Sequence, residues 1–183
     1  AGVHGAPLGG DEIKLTRETL GWSYGDFEVP ADALDHMRKA VERGASDQAE
    51  WEEALPAYRT KYPEDAALFE RMLSGQPPEN WADALPTYST DGKAIATRKT
   101  SEATLNALAP AVPELIGGSA DLAKSNNTLM KISGDFQKGA YENRNIRFGV
   151  REHGMGAICN GIALHNSGLI PYCATFLVFA DYM

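Results

Sequence analysis

One stretch decides the fold: Asn145-Ile146-Arg147-Phe148-Gly149-Val150-Arg151-Glu152-His153-Gly154-Met155-Gly156. It reads as a short strand over 146–150 running directly into a helix. The helix carries Met155, Ile158, Cys159 and Ile162 at i, i+3, i+4 and i+7, one apolar face. A second face is small, with Gly154, Ala157 and Gly161. Each glycine inside a helix costs about 1 kcal/mol against alanine. Such a run predicts the close approach of another backbone or a ligand. One carboxylate, Glu152, stands at the strand-to-helix junction. As the first acid of a helix it answers to the helix dipole and needs no chemistry. Held out of water by glycine and apolar neighbours, it keeps or shares a proton near neutrality instead.

On either side the pattern repeats. A helix over 100–108 precedes a buried strand, Glu114-Leu115-Ile116-Gly117, and a loop over 118–125. The segment 126–144 is polar and irregular. A strand over 169–174 follows the glycine-rich helix, and a helical stretch ends the chain. The order strand, helix, strand predicts an α/β fold, a parallel sheet with flanking helices.

The first half reads differently. After a turn-rich loop at His4 to Leu8, Asp11 caps a helix to Leu20, stopped by Gly21. Phe27-Glu28-Val29 reads as extended. A second helix over 31–42 carries Leu34, Met37 and Val41 and closes at Gly44. A third begins near Ser46, with Trp51, Leu55, Tyr58 and Tyr62 as one core-facing stripe and Pro56 as a break. A fourth, over 63–73, turns Ala66, Phe69 and Leu73 inward and ends at Gly75. The alternating charges of these helices read as solvated faces. Gln76 to Gly92, with three prolines, reads as an extended interdomain linker pinned by Trp81, Leu85 and Tyr88.

Composition narrows the classes. The 183 residues carry a formal net charge of −8, which argues against a nucleic-acid partner. No apolar run approaches the ~20 residues that span a bilayer, so a membrane partner is not expected. The two cysteines, Cys159 and Cys173, read as small buried hydrophobes rather than a structural disulfide.

The stretch 146–156, with Gly117-Gly118-Ser119-Ala120-Asp121-Leu122 before it and Thr175-Phe176-Leu177-Val178-Phe179 after it, resembles the transketolases. The Asp181-Tyr182-Met183 ending and the run from Cys159 to His165 are most similar to plant and algal members. The resemblance implies thiamine diphosphate as cofactor and transfer of a two-carbon ketol unit between sugar phosphates, from a ketose donor to an aldose acceptor. Glu152 matches the family acid that bonds the ring nitrogen of the cofactor's aminopyrimidine. Phe176, Phe179 and Tyr182, at i, i+3 and i+6, match the aromatic pocket for that ring, where core packing is the reading from residues alone. Asp121 lies beside the cofactor in the family, and otherwise reads as a helix cap. His4, in His-Gly-Ala-Pro-Leu, matches a histidine that reaches both the diphosphate end and the substrate. Arg98 and Ser125 match residues that clamp the substrate phosphate.

The same resemblance divides the chain into the end of a diphosphate-binding domain (1–29), a helical and extended linker (30–92) and the start of a pyrimidine-binding domain (93–183). It implies an internal piece of a longer polypeptide. Ligands for Mg2+ or Ca2+ are then expected upstream of His4, so no metal ligand falls in this chain, and further substrate residues downstream of Met183. It also implies a homodimer with the site at the subunit interface. A plastid stroma is the expected location, with the cytosol as alternative. The rival readings are a dihydroxyacetone synthase-like thiamine enzyme and a non-catalytic binding module.

Overall fold

A computed structural model describes residues 4–183. The chain forms two compact units, one up to Tyr58 and one from Arg59 to Met183.

The first unit holds α1 (Gly10–Leu20) and most of α2 (Ala31–Lys61). The N-cap of α1 is Gly9, and Asp11 sits inside the first turn rather than capping it. Gly21 stops α1 in a left-handed conformation, and its N–H reaches the Glu18 carbonyl. Phe27 is not extended. It turns the chain at φ 59° and is fully exposed.

α2 corrects two expectations. It runs unbroken for 31 residues through both Gly44 and Pro56. Gly44 lies outside the left-handed region, so nothing in its backbone forces a stop. Helix formers on both sides outweigh its entropic cost. A proline removes one bond of a helix ladder, and 25 helical residues lead into Pro56. The expected core stripe is also not buried. Met37, Val41, Trp51, Tyr58 and Tyr62 are all exposed, and α2 buries none of its residues. Helical period alone identifies a stripe but not whether anything covers it.

In the second unit α3 (Pro63–Ser74) begins on its proline and ends at left-handed Gly75. Ala66 is buried as expected, but Leu73 is exposed. Half-buried Leu68 and Met72 take the inward positions beside Phe69. The stretch 76–92, expected as a linker, is largely irregular and lies within the second unit, with a short 3-10 helix, Trp81–Ala84, that leans on α4 (Thr97–Ala111). The Tyr88 hydroxyl donates to the Thr100 carbonyl at 3.4 Å. This bond and the contact with α4 hold the stretch, while Trp81, Leu85 and Tyr88 stay exposed rather than buried.

The sheet has three parallel strands in the order β2-β1-β3. β1 is Leu115–Ser119, β2 Asn145–Arg147 and β3 Ile170–Ala174. In register, Gly118 faces Ile146 on one side and Cys173 on the other. A Cβ on Gly117 would collide with the Tyr172 carbonyl, and one on Gly118 with that of Ile146. The paired glycines therefore let the central strand sit between its neighbours. A short helix, α5 (Ala123–Asn126), follows β1. β2 is shorter than the predicted strand, because Gly149 turns at φ 70° before α6 (Glu152–Leu164).

α6 packs Met155 and Cys159 against Ala120 and Phe148, with Ile146 and Cys173 alongside. Ile158, expected on that face, is 49% exposed instead. The i, i+4, i+7 row 155, 159, 162 covers the sheet, and 158 falls on the next row. The small face of α6 is open at Gly161, where nothing lies within 4 Å of an added Cβ, while a Cβ at Gly154 would touch the Arg151 side chain at 3.6 Å. Among the described residues no helix is long and apolar enough to cross a membrane.

Candidate functional site

Ligands of open α/β sheets bind beyond the carboxyl ends of the strands, and three segments meet there. After β1, Asp121 adopts φ 60°, with the Leu122 N–H on the Ala120 carbonyl at 2.7 Å. Asp121 caps no helix, because Leu122 is the N-cap of α5. After β2, the Arg151 N–H reaches the Gly149 carbonyl at 2.9 Å, and the Arg151 guanidinium donates to the Phe148 carbonyl at 2.9 Å. This tight turn places Glu152 as the first residue of α6. After β3, residues Leu177–Tyr182 form a 3-10 helix. Its three-residue turn stacks Phe179 and Tyr182 on one side.

These segments enclose a cleft of about 400 Å3. Asp121, Glu152, Phe179 and Tyr182 line it together, with Leu122 and Val150 as apolar wall. Glu152 is half-buried, so its surroundings shield it in part rather than exclude water. Leu122 and Val150 escaped the sequence reading because a wall residue carries no chemical signature.

A second cleft, about 660 Å3, opens beside the N-terminus of α4. Arg98, Asn126, Thr175 and Phe176 line it. Phe176 is thereby separated from Phe179 and Tyr182. It is the extended residue before the 3-10 helix, so the i, i+3 alignment does not reach it. Helix α4 starts at Thr97, three residues earlier than expected, which puts Arg98 in the first turn. The Arg98 guanidinium donates to the Ser125 carbonyl at 3.0 Å, so the two expected phosphate residues are neighbours. Both side chains are exposed. Beneath them runs a buried polar chain. Ser119 Oγ lies 2.5 Å from the Asn126 amide, which lies 2.6 Å from Thr128 Oγ1. It fixes α5, and with it Ser125. Thr175 Oγ1 is buried without a hydrogen-bond partner. An orphaned hydroxyl at a cleft costs about 1–3 kcal/mol until something bonds it. The sequence reading passed over Thr175, although it opens a quoted motif.

His4 lies in the first unit, in the exposed turn before α1. The other candidates lie in the second unit. Among the described residues no group of three His, Cys, Asp or Glu side chains is placed to hold a metal ion.

Two family descriptions match the chain. "Transketolase, thiamine diphosphate binding domain" matches residues 1–78, and "Transketolase, pyrimidine binding domain" matches residues 93–183. A transketolase of Nostoc sp. is 62% identical over 183 residues, covering 100% of this chain and 27% of that protein. A chloroplastic transketolase of Craterostigma plantagineum is 56% identical over 181 residues, covering 99% of this chain and 35% of that protein. Among solved structures, a Pichia stipitis transketolase in complex with sedoheptulose-7-phosphate aligns with a TM-score of 0.86 at 46% identity. It covers 99% of this chain and 28% of its own. The chain thus spans about a quarter to a third of the length of the relatives it matches.

Proposed function

Because this chain belongs to the transketolase family, we propose that it serves, within its full-length enzyme, the transfer of a two-carbon ketol unit from a ketose phosphate to an aldose phosphate. One observation carries this reading. The ends of three parallel strands bring Asp121, Glu152, Phe179 and Tyr182 to one cleft. Aromatic rings, apolar walls and a half-buried carboxyl fit a flat heterocycle with a basic nitrogen. The aminopyrimidine of thiamine diphosphate is such a ring. When bound, thiamine diphosphate supplies the acidic thiazolium carbon that takes up and hands on the ketol unit.

The chain's own residues then bind, orient and hold a proton. Phe179 and Tyr182 stack on the ring and exclude water from it. Glu152 holds a proton against the ring nitrogen, and Asp121 accepts a hydrogen bond at the rim. In the second cleft Arg98 offers its forked donors to the substrate phosphate, with the Ser125 hydroxyl beside it. Phe176 walls that cleft. His4 donates hydrogen bonds to the cofactor's diphosphate end and to the substrate. The divalent cation, Mg2+ or Ca2+, takes its ligands from the remainder of the enzyme. The same reading divides the chain at 30 and 93 into diphosphate domain, linker and pyrimidine domain. It also places a second subunit against the small face of α6. Relatives named chloroplastic support a plastid stroma as location.

Glu152→Gln in the full-length enzyme tests the reading. Circular dichroism and sedimentation should show an unchanged fold and dimer, while turnover falls at least about 100-fold. Near-normal turnover overturns the role of Glu152.

A further inference from the structure

The only two cysteines of the chain meet between α6 and β3. Side chains alternate along a strand. Tyr172 points away from α6, its hydroxyl donating to the Thr128 carbonyl at 3.0 Å, so Cys173 faces α6. Cys159 Sγ lies 3.8 Å from the Tyr172 carbonyl oxygen, on the peptide bonded to Cys173. Both thiols belong to one apolar cluster with Phe148 and Met155. Both are free. Cys159 is 8% exposed. Cys173 is half-buried, so solutes reach it before Cys159.

We propose that Cys159 and Cys173 form a dithiol that closes reversibly to a disulfide by exchange with a small-molecule or protein disulfide, tying α6 to β3. The Cys173 thiolate attacks one sulfur of the incoming disulfide and releases the first thiol. Cys159 then loses its proton to solvent and attacks Cys173 Sγ, releasing the second thiol. One disulfide is reduced to two thiols as two thiols become one disulfide. Burial and the neighbouring Cys173 push the Cys159 thiol up to about 11. Closure therefore quickens as pH rises toward that value. Cytosol-like compartments keep such bonds transient and regulatory rather than structural.

The bridge sits under the candidate cofactor cleft. Cys159 lies two turns along α6 from Glu152, about 10 Å, and Cys173 lies three residues before Phe176. Bond formation draws α6 toward β3, which displaces Glu152 relative to the 3-10 helix bearing Phe179 and Tyr182. That consequence rests on the proposed function. The thiol chemistry does not.

The test oxidises the full-length enzyme with excess glutathione disulfide at pH 8 and 9 and maps its peptides by mass. The expected product is a peptide pair linked through Cys159 and Cys173, formed faster at the higher pH and reversed by dithiothreitol. Phenylarsine oxide, which needs two adjacent thiols, should bind the wild type and spare Cys159→Ser and Cys173→Ser at these peptides. Oxidation should raise the apparent KM for thiamine diphosphate several-fold in the wild type and leave Cys173→Ser unchanged. Absence of both the linked pair and the arsenical adduct overturns the dithiol. A linked pair with an unchanged KM overturns its effect on the cleft. A linked pair in an enzyme that shows no response to thiamine diphosphate upholds the dithiol and overturns the proposed function.

Discussion

Asp121 holds φ at 60° beside the cleft, in a region that L side chains enter at a cost of order 1 kcal/mol or more. Aspartate tolerates the conformation better than most residues, and a residue that lines a cleft is where such strain is retained. Asp121→Gly should therefore raise stability by about 1 kcal/mol and weaken thiamine diphosphate binding. Melting temperature and fluorescence titration of the full-length enzyme read the two effects separately. Gly118 has the opposite character. A methyl group there meets the Ile146 carbonyl, a backbone atom that cannot step aside. Gly118→Ala should lower stability by about 3 kcal/mol, seen as a fall in melting temperature. The sequence signalled both residues within one motif. It could not separate them, since a glycine needed for space and an acid that lines a cleft look alike in a string. Thr175 was missed for a related reason: an unsatisfied hydroxyl becomes visible only when its neighbours are known.

Helix α2 shows what periodicity can and cannot say. The spacing of Trp51, Leu55 and Tyr58 made the helix legible. The stop expected at Gly44 failed because no competing bond ends the helix there. Gly44→Ala adds a Cβ with nothing within 4 Å, so it should stabilise by about 1 kcal/mol, read as a rise in melting temperature. Gly161 in α6 is equally open within this chain, and here the sign decides a larger question. If a second subunit packs on that face, Gly161→Ala weakens the dimer by at least tenfold in sedimentation equilibrium. A plain gain in helix stability with an unchanged dimer counts against that interface. The β-elements were legible from their short apolar runs, whereas their ends moved by up to three residues. Gly149 cut the strand before α6, and only its backbone angle shows this.

Across the second unit, one ion pair joins distant segments. Glu114, 2% exposed, precedes β1 and pairs with Arg71 at the end of α3. Both carboxylate oxygens lack a well-directed hydrogen bond, so charge rather than geometry satisfies them. Arg144 stands near and adds positive potential, while burial pulls its own guanidinium below the usual arginine range. Arg71→Met leaves Glu114 buried without its partner and should cost about 3–5 kcal/mol. The double variant with Glu114→Leu should recover most of that loss, measured as melting temperature. No sequence pattern joins residues 71 and 114, because the pairing exists only once α3 reaches the sheet. Alkaline stability has a separate origin. Burial raises the Tyr172 hydroxyl from 10.0 to about 12. The folded protein holds that proton more tightly than the unfolded chain, so the contribution is complete below pH 10 and disappears as pH climbs through 12. Tyr172→Phe should flatten the stability profile across that window.

Among the described strands β3 is an outer one, and one of its residues sets what can pair beside it. The Ile170 N–H bonds the Glu114 carbonyl, and the Ala174 carbonyl accepts from Ala120. Residues 170, 172 and 174 thus bond inward, and 171 and 173 present their main-chain groups outward. Pro171 occupies the outward position, where a missing N–H costs the ladder nothing and denies a docking strand one donor. In the segment on its own, chain-to-chain pairing along β3 is thereby discouraged by a single imino ring. Pro171→Val restores the template and should bring turbidity and thioflavin binding to solutions of the isolated segment at concentrations where the parent stays clear.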